Sequence, residues 1–326
     1  MTALVTGAAG FTGSHLVRHL AAHGDRVRAL VRDSARAPVF DPAHVQIVQG
    51  DLTEAASLRR ALDGVDVVYN IAARYREAGR PASEYRAVNA TAVGTIVELA
   101  KAAGATRVVH CSTVGVHGDV EHPPANEDAP LRPGDLYQET KLEGERIGRD
   151  AAARTGMELV IARPTGIYGP GDRRLFKVFG HIAKRRFVML GRGRNYYHIT
   201  YIDDLCEGFR LCGSVPAAAG RTYILGGGDV TTLAELVRIT AEVARVPPPR
   251  MRLPIAPVWL AGALCETIFT PLGMEPPLYR RRVDFFRKSR AFDISRAQAE
   301  LGYAPRVGIR EGIKRTLDWY REQGWI

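Results

Sequence analysis

Cysteine is scarce in this 326-residue chain, with Cys111, Cys206, Cys212 and Cys265 its only four. They show no metal-ligand spacing and are too sparse to staple a fold of this size. That excludes a disulfide scaffold, predicts no metal site, and points to a reducing, intracellular compartment. An unbroken apolar run of about 20 residues is also missing. The most apolar stretch, residues 253–272, is interrupted by Pro254, Pro257, Glu266 and Pro271, which argues against a membrane span. The N-terminus passes directly into a strand pattern at Ala3, so no signal peptide is expected and the predicted location is cytoplasmic. Acidic residues number 35 against 45 basic ones, a net charge of +10. Such an excess can draw phosphates, nucleic acid or anionic lipid. No zinc-finger or aromatic RNA-binding motif accompanies it, so a solvated basic surface and no nucleic-acid partner are expected.

Hydrophobic residues at 46% and charged residues at 25% describe an ordinary globular protein with room for a substantial core. The organising stretch is Ala3-Leu4-Val5-Thr6-Gly7-Ala8-Ala9-Gly10-Phe11-Thr12-Gly13. An apolar strand breaks into glycines at 7, 10 and 13, and Ser14 to Leu20 resumes apolar residues at helical spacing. Strand, tight turn and helix N-terminus form the context in which glycines admit a pyrophosphate and the helix dipole favours its charge.

Further strands are predicted at Arg26–Arg32, Val45–Leu52, Val65–Ala72, Arg107–Ser112 and Glu158–Arg163. Between them lie helices over Thr53–Leu62 (with Thr53 as a possible cap), about Ser83–Ala103, and Tyr137–Arg154. Strands alternating with helices predict an α/β fold with a doubly wound parallel sheet of Rossmann type. Beyond Pro164 the alternation weakens and Pro and Gly become frequent. Residues 1–165, joined by about 196–226, are read as the dinucleotide-binding domain, with the stretch Tyr197–Cys212 and the strand Thr222–Leu225 returning to the main sheet. Residues 166–195 and 227–326 form a smaller, discontinuous substrate-binding region, closed by helices at Ile294–Leu301 and Ile309–Tyr320.

Tyr137 and Lys141 are four residues apart and therefore share a helical face. A nearby ammonium stabilises a phenolate and makes tyrosine a usable acid/base near neutral pH. Tyr-x-x-x-Lys alone recurs by chance. Ser112-Thr113, 24 residues upstream of Tyr137 at the end of a predicted strand, adds hydroxyls where open α/β sheets bind ligands. The three features in this order are jointly far more specific than any one.

With these in place, the chain resembles the extended short-chain dehydrogenase/reductase family, also called the NAD-dependent epimerase/dehydratase family, over essentially its whole length. The resemblance rests on Thr6-Gly7-x-x-Gly10-x-x-Gly13, Gly50-Asp51-Leu52, Asn70-Ile71-Ala72-Ala73, Val88-Asn89, Ser112-Thr113, Tyr137/Lys141, Arg163-Pro164 through Tyr168-Gly169-Pro170, Asp203-Asp204-Leu205, and Leu301-Gly302-Tyr303-x-Pro305. It implies that Tyr137 is the general acid/base, Lys141 binds the nicotinamide ribose, and Thr113 holds the substrate oxygen, with Ser112 in reserve. Gly7, Gly10, Phe11, Thr12 and Gly13 would carry the pyrophosphate. Asp51 and Leu52 would contact adenine, Ile71, Ala72 and Ala73 would pass beneath the ribose and pyrophosphate, and Pro164-Thr165 would flank the nicotinamide. His117 replaces a usual tyrosine, and either faces substrate or is a satisfied core histidine. Asn89 matches a position behind the active site, as a relay or as an amide stapling helix to strand. The resemblance also implies a homodimer formed through the two long helices.

Val31 stands where NAD-preferring relatives usually have aspartate, and Arg32 follows it, so NADP is favoured, with Asp33 keeping NAD possible. Two branches of the family compete. Sugar-nucleotide epimerases and dehydratases often carry an asparagine and an arginine where this chain has Gly166 and Tyr197, although Arg74, Arg192 and Arg194 lie close enough in sequence to compensate. The runs Arg163–Asp172 and Phe292–Ala297 look closer to the 3β-hydroxysteroid dehydrogenase/dihydroflavonol reductase-like branch, which is the favoured expectation. The apolar stretch 255–272 beside Arg280-Arg281-Arg282 either forms a core helix and a solvated basic helix, lids a pocket, or makes a peripheral membrane contact through residues 255–290. A non-catalytic dinucleotide-binding sensor is disfavoured because Thr113, Tyr137 and Lys141 are all retained.

Overall fold

The computed structural model describes residues 1–77, 79–269, 274, 276–278 and 280–326. The chain begins β1 (Thr2–Thr6), α1 (Phe11–Ala22), β2 (Arg26–Val31), β3 (Val45–Gln49), α2 (Ala55–Leu62), β4 (Val67–Asn70), α3 (Ala82–Arg86), α4 (Ala92–Ala102), β5 (Arg107–Cys111), α5 (Leu136–Thr155) and β6 (Glu158–Pro164). It continues β7 (Gly166–Tyr168), α6 (Phe176–Ala183), β8 (Met189–Leu190), β9 (Tyr196–Tyr201), α7 (Ile202–Ser214), β10 (Thr222–Leu225), β11 (Val230–Thr232) and α8 (Leu233–Ala244). It ends β12 (Arg252–Leu253), α9 (Ile255–Phe269), α10 (Arg280–Asp284), α11 (Ser295–Leu301) and α12 (Ile309–Glu322).

Seven strands in the order β10-β6-β5-β4-β1-β2-β3 form the main sheet, every pair parallel. The central strands are apolar on both faces, as a parallel sheet covered by helices requires. Leu4, Val68, Val108 and Ile161 face one layer with α2 and α4 residues such as Leu58 and Ile96, and Val5, Tyr69, Val109 and Val160 face the other with Leu16, Leu20 and Phe209. The order runs outwards in two directions from β1 and β4, whose carboxyl ends flank the crevice where doubly wound sheets bind ligands.

Two expectations are corrected and one is refined. The stretch from Tyr197 does not rejoin the main sheet: β9 pairs with β7 and β11 in a separate three-stranded sheet, and only α7 packs back on the main one. The edge of β6 is taken by β10 through Thr222 opposite Ile161, and β9 instead pairs on both sides, with β7 and with β11. The helix expected over Ser83–Ala103 is present over residues 82–102 but winds as a π-helix at residues 87–91, where the Asn89 amide bonds the main chain of Arg74. Thr53 does not cap α2, which follows Glu54 with no side-chain cap. Its hydroxyl donates instead to Asp51 Oδ1 at 2.7 Å.

Among the described residues no helix is long and apolar enough to cross a membrane. Of the apolar stretch 255–272, residues 270–272 lie outside the described residues. α9 contributes an exposed stripe of Leu260, Leu264 and Ile268, one helical turn apart. The guanidiniums of Arg280 and Arg287 lie over its Trp259 ring, 5.7 and 6.0 Å from the centroid.

Candidate active site

At the carboxyl end of β1 the backbone turns through Gly7 at φ +67°, a conformation that favours glycine. A Cβ on Gly7 would meet Ala72 Cα at 2.8 Å, and one on Gly13 would meet the Gly7 carbonyl oxygen at 2.2 Å. Glycine therefore lets β4 and the start of α1 close on the turn. Gly10 precedes α1 with no side-chain cap, and the first turn carries no acidic residue. Its main-chain N–H groups are thus available to an anion, reinforced by the helix dipole. A cavity of about 580 Å³ opens beside them, lined by Gly10, Phe11, Ser14, Arg18, Gly171 and Arg174. The Arg174 guanidinium lies 5.9 Å from the Phe11 ring centroid. Thr12 and Ala72 are half-buried, Ile71 and Leu52 are buried, and Ala73 is exposed. Asp51 is held by accepting from Thr53 N at 2.8 Å. Arg32 is exposed at the end of β2, while the Asp33 carboxylate accepts from Ala35 N and pairs with Arg36 at 3.4 Å. At the end of β6, Thr165 is buried, and its hydroxyl has no partner among the described residues. This donor set fits a dinucleotide: N–H groups for the pyrophosphate, apolar floor residues beneath it, and exposed polar groups at the adenosine end.

α5 carries Tyr137 and Lys141 on its face towards β5. Its N-cap is Asp135, whose Oδ1 accepts from Gln138 N at 3.0 Å. The other oxygen of Asp135 pairs with Arg76 at 2.7 Å. Arg76 sits at φ +39°, in the left-handed region that a non-glycine residue enters only when its surroundings enforce it. It donates to the Tyr75 hydroxyl at 3.0 Å and stacks over the Tyr137 ring at 5.7 Å. Tyr75 meets Tyr137 edge to face at 4.8 Å. The loop after β4 is thus folded across the candidate acid/base. Burial pushes the Tyr137 phenol up from its ordinary value, Cys111 and Tyr75 add to this, and Arg174 and Arg76 oppose it. The phenol is protonated at neutral pH. Lys141 is fully buried, and its Nζ lies 3.4 Å from His110 Nε2. Burial lowers its ammonium, opposed by Cys111 and Glu145. Thr113 Oγ1 accepts from Gly115 N at 3.0 Å, which leaves its own proton to donate.

Ser112 and His117 turn inwards, away from the cleft in which a substrate was expected to meet them. Ser112 Oγ donates to Glu145 Oε1 at 2.5 Å, and Arg163 grips both oxygens of Glu145 at 2.9 and 2.7 Å. Arg163 also bonds His117 Nε2 at 3.1 Å. Burial, helped by the Arg163 charge, pushes His117 down to about 4, so it is a neutral acceptor. Both side chains are taken up by a buried ion cluster. Arg74 is likewise committed: its guanidinium pairs with Glu77 at 2.7 Å and Glu84 at 3.2 Å. Asn89 is the staple, donating to the Arg74 carbonyl at 3.0 Å and to Thr140 Oγ1 at 3.1 Å. Tyr197 stays at the cleft, edge-on to Phe285 at 5.0 Å and within the field of Arg174 and Arg290.

Sequence reasoning missed Tyr75, Arg76 and Arg174, which surround the Tyr137 ring, and Asn70 and His110, which lie behind Lys141. The signal for Tyr75 and Arg76 was their place directly after the Asn70–Ala73 run. For His110 it was a polar residue inside a strand, next to the apolar pair Val108-Val109. Outside the cleft, His19, His23 and Glu207 gather between α1 and α7, where Arg210 forks onto Glu207 at 2.8 and 2.7 Å.

The model of the NAD dependent epimerase/dehydratase family matches residues 3–226. The chain belongs to that family. Its relatives within the family include the 3 beta-hydroxysteroid dehydrogenase/Delta 5-->4-isomerase of Mycobacterium tuberculosis (strain ATCC 25618 / H37Rv), 31% identical over 97% of this chain and 90% of that protein. The sterol demethylase protein B of Methylococcus capsulatus is 30% identical over the full length of both chains. Among solved structures, the dTDP-glucose 4,6-dehydratase DesIV of Streptomyces venezuelae, crystallised with NAD, is 29% identical and superposes with a TM-score of 0.78, covering 100% of this chain and 98% of that one. As a member of the epimerase/dehydratase family, the chain is an NAD-dependent enzyme of the dehydrogenase/epimerase kind, similar to both steroid dehydrogenases and sugar-nucleotide dehydratases.

Proposed function

We propose that this enzyme transfers hydride between a nicotinamide dinucleotide and the secondary alcohol or ketone carbon of a ring-type, lipid-like substrate. The supporting observation is Tyr137, a phenol kept protonated by burial, one helical turn from Lys141 on α5 and within the field of Cys111 at the end of β5, two residues before Thr113. The bound dinucleotide supplies or takes the hydride. Tyr137 gives its proton to the carbonyl oxygen, or takes the hydroxyl proton in reverse, and Thr113 steadies that oxygen by donating to it. A phenol held neutral suits the reductive direction.

The cleft wall favours an apolar ring. Tyr75, Tyr197 and Phe285 present aromatic faces and edges. Of the three arginines that could serve a nucleotide diphosphate, Arg74 is bound to two glutamates, while Arg192 and Arg194 are exposed. The exposed stripe of α9, beside Arg280 and Arg287, supports peripheral contact with an anionic membrane from which such substrates partition. Exposed Arg32, beside an Asp33 engaged with its own turn, favours NADP over NAD.

Tyr137→Phe tests the reading. With NADPH and a panel of cyclic ketones, including 3-oxosteroids, kcat falls at least about 100-fold while cofactor affinity changes little. A near-wild-type rate removes the acid/base assignment. The second reading, a sugar-nucleotide epimerase or dehydratase that recycles its hydride, draws on the DesIV likeness. It predicts NAD retained at about one per chain through gentle purification, detected by mass spectrometry after denaturation, whereas the favoured reading predicts reversible NADPH binding.

A further inference from the structure

A buried row of polar side chains crosses the middle of the main sheet behind Lys141. Thr6, Asn70 and His110 are direct register partners on the neighbouring strands β1, β4 and β5. All three are buried, as is Lys141 at the end of the row. Ala72 N donates to Thr6 Oγ1 at 3.1 Å, Thr6 Oγ1 donates to Asn70 Oδ1 at 2.8 Å, Asn70 Nδ2 meets His110 Nδ1 at 3.1 Å, and His110 Nε2 meets Lys141 Nζ at 3.4 Å. Polar groups in an apolar sheet are costly unless each is matched, so the direction of every bond in the row matters.

Counting protons fixes that direction. A neutral imidazole has one N–H and one acceptor nitrogen. With the Asn70 amide N–H aimed at Nδ1, the ring proton sits on Nε2 and points at Lys141, which must then accept it as a neutral amine. If Lys141 is an ammonium, it donates to Nε2, the ring proton moves to Nδ1, and the Asn70 amide turns half a revolution to offer its oxygen. Thr6 Oγ1 then receives hydrogens from both Ala72 and Asn70, one for each lone pair. The two arrangements differ by one proton, carried by Lys141.

We propose that His110 is a positioning residue for Lys141, and that the Thr6–Asn70–His110 row reverses its hydrogen-bond direction as Lys141 gains or loses a proton. Other groups near the lysine do not take over this role. Facing it are Cys111 on β5 and Glu145 on α5, and Arg174 acts on Cys111 from the segment before α6. Burial pushes Cys111 up to about 11, and Glu145 is ionised and bound to Arg163 and Ser112. His110 itself is held neutral by burial and by the Lys141 charge. The catalytic consequence rests on the role given above to Tyr137 and Lys141: the row sets the charge one helical turn from the phenol. The coupling itself does not.

The test uses the full chain labelled with 15N-histidine, without added nucleotide, in long-range proton–nitrogen spectra from about pH 6 to 11. His110 is assigned by its loss in His110→Gln. The expected result is a ring that stays neutral, with its proton on Nδ1 at the lower pH and on Nε2 at the higher. Lys141→Met abolishes the switch. A single tautomer throughout, a ring that takes up a second proton, or a switch that persists in Lys141→Met would each overturn the proposal. In turnover, His110→Phe removes the acceptor for the ammonium, so the alkaline limb of kcat moves down by about one to two pH units. An unmoved limb overturns the link to catalysis. The spectra need neither substrate nor turnover, so their outcome is independent of the Tyr137→Phe result.

Discussion

Replacing Glu145 by Gln should be among the most destabilising single changes in this chain, although Glu145 touches no expected ligand. The carboxylate and the Arg163 guanidinium are 2% and 3% exposed, with Nη2 2.7 Å from Oε2. Glu145→Gln keeps the volume and removes the charge, leaving a buried guanidinium with only neutral acceptors, the Glu127 carbonyl oxygen and His117 Nε2. Breaking a buried pair from one side costs about 3–5 kcal/mol, a large part of the stability of an ordinary domain. For a chain of this length that corresponds to a fall in Tm of about 4–7 °C by differential scanning calorimetry. Combining it with Arg163→Met, which removes the stranded charge, should recover part of the loss. The pH dependence has a definite sign. Burial raises the Glu145 carboxyl, but the hydrogen bond and charge of Arg163, with Ser112 and Arg149, outweigh it and hold the group below 4.5. Its contribution is therefore fully present above pH 4.5 and is lost as the pH falls through the lower, folded value. The gap between wild type and Glu145→Gln should narrow on acidification below that point. A Tm shift under about 2 °C at neutral pH would refute the reasoning.

Two further outcomes are expected. Gly13→Ala places a Cβ 2.2 Å from the Gly7 carbonyl oxygen and must displace α1 from the turn, so NADPH and NADH titrations by fluorescence should show affinity lowered at least about tenfold. Gly308→Ala, where no atom lies within 4 Å of the new Cβ, should bind as wild type, and equal binding by Gly13→Ala would remove the cradle assignment. Arg32→Asp should weaken NADPH and favour NADH, and an unchanged ratio of the two dissociation constants would show that Arg32 points elsewhere.

The parallel sheet was legible because its strands are short apolar runs closed by turns, and because buried strands need no alternation. The glycine turn was legible for a related reason: only glycine fits at residues 7 and 13, so the backbone constraint shows in the sequence itself. β9 was misplaced because sheet membership depends on partners distant in the chain: β7 and β11, which flank it, lie about thirty residues before and after it. The surroundings of Tyr137 escaped for a different reason. Arg76 and Arg174 arrive from separate loops, and loops obey no period that would announce where their side chains gather. Glu145 looked like one more charge on an amphipathic helix, and only its partner 18 residues onward made it a buried anchor.

The two sheets are joined almost without slack. One residue, Thr165, separates the end of β6 from the start of β7, and β9 runs into α7 with no residue between Tyr201 and Ile202. A hinge needs a few free residues to absorb a change of backbone angle, and neither junction has them. The small sheet is therefore a fixed wall of the cleft. The loop after β4 lies across Tyr137, and its Arg76 is clasped by the carboxylate that caps α5. The two bonds use different oxygens of Asp135, so losing the one to Arg76 leaves the cap on Gln138 in place. The contacts over the tyrosine are thereby separated from the integrity of the helix that bears it.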